Sequence, residues 1–264
     1  MAETKMSVEL MFHTQLSKKF REKLQAESEK LAGIHDGKIL ALSAIRTCYS
    51  SNKPSEIAIK EGYKYFGSVA SDGKDGSDAD RLIRQIVSSK HTSTLEGISF
   101  TFAIEGVSRA LLTQLTRHRV GFSFSVQSQR YVRMGSDDKI GGFDYVVPDK
   151  VKESEKTTEF YDNGEHEYRF AKASRIYEDA METAQMAYDA LREAGVPAED
   201  ARAVLPNAAA TNLVMTANLT ALLSFYSKRK KGRGAQAEIT ELAEALRREV
   251  VDVEPWTAQF FEEV

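Results

Sequence analysis

Residues 98–105 read Ile-Ser-Phe-Thr-Phe-Ala-Ile-Glu. Ile98, Phe100, Phe102 and Ile104 fall on one side of an extended chain, and Ser99, Thr101 and Glu105 on the other. That alternation predicts a strand with one buried face. Directly after it, Val107, Leu111 and Leu115 recur at helical spacing and predict a helix over Val107–Arg117. Upstream, Val8, Leu10 and Phe12 alternate weakly as a short strand. Ile39, Leu42 and Ile45 predict a helix over Lys38–Cys48, and Leu82, Ile83, Ile86 and Val87 another that ends near His91. Downstream, Phe143–Pro148 reads as a strand. Phe170, Ala173, Tyr177, Ala180, Ala184, Tyr188 and Leu191 mark a long amphipathic helix over Tyr168–Leu191, closed by Gly195 and Pro197. Helices are expected over Ala198–Val204, Thr211–Tyr226 and Ala235–Val251. Few strands, many helices and no regular strand–helix alternation predict an α+β fold, a single domain over residues 1–264 with a small sheet and several long helices. The glycine- and aspartate-rich stretch Gly67–Asp80 reads as a mobile surface loop.

Composition narrows the function. The 264 residues carry 36 Lys+Arg against 39 Asp+Glu, a net charge of −3, with 42% hydrophobic residues. A disordered or collagenous chain is excluded, and the charge argues against a protein that coats nucleic acid. The one cysteine, Cys48, can form neither an internal disulfide nor a thiolate metal site; it is read as a buried, inert thiol. No apolar run approaches the ~20 residues needed to span a bilayer. The opening MAETKMSVEL has no signal-peptide core. A cytoplasmic protein without a membrane partner is expected.

The densest polar segment is Thr116–Arg133, TRHRVGFSFSVQSQRYVR. Arg117, His118, Arg119, Arg130 and Arg133 supply positive charge, Ser123, Ser125 and Ser128 hydroxyls, and Phe122, Phe124 and Tyr131 flat faces. Guanidinium forks and hydroxyls match phosphate oxygens, and aromatic rings can flank a base or a cofactor ring. The competing reading is a solvated basic turn. A second basic run, Ser227–Gly234 (SKRKKGRG), holds Lys228, Arg229, Lys230, Lys231 and Arg233; alone it reads as a solvated patch or weak nucleic-acid contact. The chain has no glycine-rich phosphate loop, no Gly-x-Ser-x-Gly elbow and no Cys-x-x-Cys. The five histidines, His13, His35, His91, His118 and His166, lack metal-ligand spacing, so no metal site is expected.

Three blocks in order then carry a resemblance. Arg117-His118-Arg119, eight residues, and Ser128-Gln129-Arg130-Tyr131 resemble the signature of the flavin-dependent thymidylate synthases. His91-x-Ser93-x-x-Glu96 resembles the segment preceding that family's strand, and Ala201-Arg202, Pro206, Asn218, Arg229 and Ala235-Gln236-x-Glu238 resemble its C-terminal half. The resemblance spans roughly Ile39 to the C-terminus. It implies methylation of dUMP at C5 to dTMP, with methylenetetrahydrofolate as carbon donor and NADPH as reductant through FAD, in a homotetramer with shared active sites. It places His91, Ser93, Glu96, Arg117, His118, Arg119 and Asn218 against FAD, with Ser224 where an asparagine commonly contacts FAD and Arg233 (or Gly234) where a histidine is usual. For dUMP it implies Gln114, Gln127, Ser128, Arg130, Arg202 and Arg229. In an extended segment Ser128 and Arg130 would point together towards the phosphate, with Arg202 as a second guanidinium. Arg229 is expected to be catalytic, stabilising negative charge on the uracil ring as C5 becomes nucleophilic. Ser128 has no adjacent general base and is read as a ligand group, not a nucleophile. Gly97, Ser224 and Arg233 depart from the family pattern, with one extra residue before Ala235. The alternative function is a nucleotide- or RNA-binding protein without catalysis.

Overall fold

The computed structural model describes residues 1–27, 31, 33–162 and 164–264. The strand expected at Ile98–Glu105 forms as β2 (Ser99–Ser108), inside a four-stranded antiparallel sheet with β1 (Ser7–His13), β3 (Phe122–Val126) and β6 (Ala210–Asn218) in the order β1-β2-β6-β3. Phe100, Phe102 and Ile104 of β2 and Leu213, Met215 and Ala217 of β6 all face the core, with Phe102 and Phe124 both opposite Met215. The register of β2 slips between Ile104 and Val107, around Gly106. That residue has φ +65° and lies so close to the Lys5 carbonyl that a Cβ would sit 2.4 Å from it, so only glycine fits the bulge.

Helices cover the inner face: α2 (Asp36–Thr47), α4 (Asp78–Ser88), α5 (Arg109–Leu115), α9 (Leu219–Arg229), α10 (Ala237–Val253) and α11 (Ala258–Glu263). Two further helices, α1 (Lys18–Glu27) and α3 (Pro54–Gly67), pack beside α2 around Leu24, Leu31, Ile39 and Ala58. A second core forms where α7 (Ala173–Glu193) and the short α8 (Ala198–Ala201) meet the chain around Met134 and Phe143. There the Gln185 amide accepts from Phe143 N and donates to Met134 O, both at 2.9 Å, tying an irregular segment to a helix. α6 (Asp149–Lys152) leads into the hairpin of β4 (Thr157–Asp162) and β5 (Glu167–Lys172).

The α+β expectation holds, with local corrections. Thr211–Tyr226 is not one helix: β6 occupies its first half, because Thr211, Leu213, Met215 and Ala217 alternate and pair with β2 and β3 on both sides. β2 runs on to Ser108, so the helix expected from Val107 begins at Arg109. The long helix starts at Ala173, because Tyr168–Lys172 pairs with β4. Phe143–Pro148 makes only isolated bridges, from Tyr145 to Glu3 and to Ala209. Helix Ala198–Val204 tightens into a 3-10 turn at Arg202–Val204. The Gly67–Asp80 loop is anchored: Arg84 Nε and Nη2 hold both Asp72 carboxylate oxygens at 2.9 and 2.8 Å. Cys48, read as buried, is exposed just past the end of α2, where the apolar face of the helix has run out.

Candidate functional site

The Arg117–Arg119 segment sits at the turn between α5 and β3, and its placement starts at the other end of α5. Ser108 caps that helix, its Oγ accepting from Leu111 N at 2.9 Å. Glu238, near the start of α10, fixes the cap in turn: Ser108 N donates to Oε1 at 2.7 Å and Ser108 Oγ to Oε2 at 2.6 Å. Two hydrogen bonds to a carboxylate are lost together when it is removed, so Glu238→Ala is expected to destabilise the fold by about 2–4 kcal/mol. Glu238→Gln should cost less than half of that, and urea unfolding of both variants measures the difference.

At the far end, Gly121 turns the chain at φ +75°. A Cβ there would stand 2.7 Å from Ala221 Cβ and 2.8 Å from Asn218 Nδ2, so glycine permits the turn to lie on the start of α9. Asn218 caps α9, its Oδ1 accepting from Ala221 N at 2.8 Å, and its Nδ2 makes no hydrogen bond among the described residues. The His91–Glu96 segment reaches the same place: Thr220 Oγ1 donates to Thr92 O at 2.8 Å. His91, Ser93, Glu96, Arg117 and Arg119 are exposed, and among the described residues none of them has an ion-pair partner. Ser224 and Arg233 are exposed as well; their contacts are to the backbone, Ser227 Oγ donating to Ser224 O and Arg233 N to Lys230 O.

His118 is different. Its ring is half-buried, edge-on to Phe225 with centroids 4.9 Å apart and tilted to Phe122 at 6.1 Å. Its Nε2 lies 3.3 Å from both Nε and Nη2 of Arg229. Burial, then the charges of Arg229, Lys228 and Arg117, hold its pKa below the ordinary histidine value.

A second cluster forms where the turn after β3 meets α8. Arg130 pairs with Glu199, and Arg202 Nε donates to Glu199 O at 3.0 Å. Arg109, which sequence reasoning missed, belongs here. It is half-buried, it has no ion-pair partner among the described residues, and burial followed by the Arg202 charge pushes its pKa below the ordinary arginine value. Arg109 and Arg202 thus bring like charge together in partial burial, and neither makes an ion pair among the described residues. The only sequence signal for Arg109 was its place beside the Ser108 cap, off the apolar face of Val107, Leu111 and Leu115.

Ser128 and Arg130 are not in an extended segment. Tyr131 N and Val132 N both donate to Ser128 O, and Arg130 N donates to Ser128 Oγ at 3.2 Å, so the serine hydroxyl closes a local turn that competes with the extended form. Gln127 Oε1 accepts from Asn212 Nδ2 at 3.3 Å, and Gln114 Nε2 donates to Gln236 Oε1 at 2.6 Å. The Gln129 side chain, also unforeseen, is buried with its Nε2 unpartnered. The structure therefore joins Arg229 to His118 and Arg130 to Arg202. It leaves the side chains of His91, Ser93 and Glu96 on an open surface.

Among the described residues, no three His, Cys, Asp or Glu side chains are arranged to hold a metal ion. No helix among them is long and apolar enough to cross a membrane.

Residues 31–256 match the family model described as thymidylate synthase complementing protein. A flavin-dependent thymidylate synthase of Geobacter sulfurreducens is 40% identical over 212 residues, covering 80% of this chain and 76% of that protein. One from Clostridium tetani is 34% identical over 231 residues, covering 81% of this chain and 77% of that one. Among solved structures, the UMP/dUMP methylase PolB of Streptomyces cacaoi bound with 5-Br dUMP superposes with a TM-score of 0.67 over 99% of this chain and 96% of its own. At 22% identity, that likeness concerns the fold.

Proposed function

This chain belongs to the flavin-dependent thymidylate synthase family, and on that premise we propose that it methylates dUMP at C5 to give dTMP, with methylenetetrahydrofolate as carbon donor and NADPH as reductant. The observation that carries the nucleotide assignment is the arginine cluster. Arg130 and Arg202 meet at Glu199, Arg109 is tied to the same segment by its backbone N–H to Ala209 O and feels the Arg202 charge, and Glu199 is the only carboxylate in ion-pair contact with the three among the described residues. The surplus positive charge suits a phosphate monoester, which carries about −1.5 to −2 at neutral pH. Gln114, Gln127 and Ser128 bring amide and hydroxyl groups, suited to the sugar and base.

FAD fits the other side. Arg117 and Arg119 have no carboxylate to neutralise them among the described residues, and Asn218 keeps its amide donor free, so the donor set is one for a diphosphate and a ring with acceptor atoms. Bound FAD, reduced by NADPH, would supply the hydride that completes the methyl group. Ser93 and Glu96 would add polar contacts and His91 an imidazole, and Ser224 and Arg233, both exposed, would offer a hydroxyl and a guanidinium. The exposure of His91, Ser93, Glu96, Arg117 and Arg119 favours a homotetramer in which another copy closes the site, each copy acting as one domain over residues 1–264.

In the reaction the chain does three things. The arginine cluster anchors the phosphate and fixes where the ring lies. Arg229 donates to the uracil ring as negative charge gathers on it, raising the nucleophilicity of C5. Phe122 and Phe225 pack against the His118 imidazole on which Arg229 rests, which holds that contact in place.

The test is tritium release from dUMP labelled at C5, with FAD, NADPH and methylenetetrahydrofolate each omitted in turn. Release that requires all three, with dTMP as product, is expected. Bound FAD and bound dUMP without release would overturn the proposal in favour of a nucleotide binder.

A further inference from the structure

Arg229 and His118 were assigned to different ligands, yet they touch. Arg229 Nε and Nη2 both lie 3.3 Å from His118 Nε2. A guanidinium nitrogen only donates, so Nε2 accepts and the ring proton sits on Nδ1. The contact therefore exists only with a neutral imidazole. Every charge that acts on the ring is positive: Arg117 on its own segment, and Lys228 and Arg229 on α9. Phe122 and Phe225 pack on it from β3 and α9. These neighbours oppose a second proton on the ring and leave it little room to rotate.

The shared edge also sets the direction of Arg229. Nε–H and one Nη2–H are turned to the imidazole, so the Nη1 hydrogens and the other Nη2–H remain as a fork pointing away from it. The residues on either side of His118, Arg117 and Arg119, are those assigned to the flavin.

We propose that His118 is a positioning residue that couples the flavin and nucleotide sites: its neutral Nε2 aims the Arg229 fork at the pyrimidine, so that occupancy of the flavin site beside His118 sets the affinity of the nucleotide site. The inference rests on the assignment of FAD and dUMP to those two sites. Coupling of this kind is reciprocal, so dUMP tightens FAD by the same factor.

The test measures dUMP binding by calorimetry with and without FAD. In the unaltered protein FAD is expected to tighten dUMP by about fivefold or more, within the usual range of coupling energies. His118→Phe keeps a ring between Phe122 and Phe225 but removes the acceptor, and should bring that factor to within about twofold of unity. Should His118→Phe fail to fold, nitrogen-15 NMR of the unaltered protein decides instead. Nδ1 should carry the proton at pH 7.5, and Arg229→Gln should raise the His118 pKa towards its ordinary value by removing a neighbouring charge. A proton on Nε2, or coupling that survives His118→Phe, would overturn the inference. dUMP binding with FAD-independent affinity would overturn it alone; no dUMP binding under either condition would overturn the functional reading with it.

The sign of the pH effect follows. The folded pKa of His118 lies below its unfolded value, so the unfolded chain takes up the proton first as pH falls. The stabilising contribution is complete above about pH 6.5 and declines as pH drops through the folded pKa. The coupling should decline over the same window, and His118→Phe should remove that part of both profiles.

Discussion

Arg229→Ala is expected to lower turnover in the tritium-release assay by about 10²–10³-fold, the usual loss when one preorganised donor to developing charge is removed. The effect should fall on kcat more than on KM for dUMP, because the charge it stabilises grows only as C5 becomes nucleophilic. Folding should suffer little. The hydrogen bonds of the Arg229 side chain are those to His118, and α9 is held by Leu222, Leu223, Phe225 and Tyr226 in the core. Arg229→Lys should recover only a small part of the lost rate. Lysine carries one donating nitrogen, which cannot both engage His118 Nε2 and present a fork to the ring. A sharp fall in melting temperature with turnover per folded molecule intact would show that Arg229 is structural.

Local periodicity made part of this fold legible. β2 could be read directly because Phe100, Phe102 and Ile104 alternate with Ser99, Thr101 and Glu105 on the other face, and α7 and α10 because their apolar stripes run for several turns. β6 could not. Its residues are compatible with either period, and pairing to β2 and β3 decides between them. The β4–β5 hairpin was hidden for a related reason, since Tyr168 and Phe170 fit both a strand and the start of the following helix. In the site, Arg117–Arg119 and Arg130 were visible because they are close in sequence. Arg109 and Glu199 were not, and Glu238 stood in a motif without its role as the partner of Ser108: each acts through a partner distant in sequence or on another element, and no spacing rule reaches that far. The Ser128 turn was misread because its hydroxyl bonds its own backbone, a choice that depends on the surrounding packing.

Arg202→Ala is expected to raise the Kd of dUMP by roughly 10- to 100-fold, the worth of a hydrogen bond to a charged group of about 1.5–3 kcal/mol. Arg130→Ala should cost less, because Arg130 does not wait free. It is paired with Glu199, and that pair must break before the guanidinium can turn to a phosphate. The two side chains are 57% and 42% exposed, so the pair itself is worth only about 0.2–1 kcal/mol. Glu199→Gln should therefore tighten dUMP, by no more than about fivefold. The double variant Arg130→Ala/Arg202→Ala should fall short of the product of the single effects, because both groups address one anion. Deoxyuridine separates this account from a general loss of site shape. It lacks the phosphate, so its binding should be nearly unchanged by Arg202→Ala and by Glu199→Gln alike. If deoxyuridine weakened in parallel with dUMP, the cluster would be shaping the pocket and the phosphate would lie elsewhere. If Glu199→Gln instead weakened dUMP, the carboxylate would be orienting Arg130 for the phosphate and not competing with it.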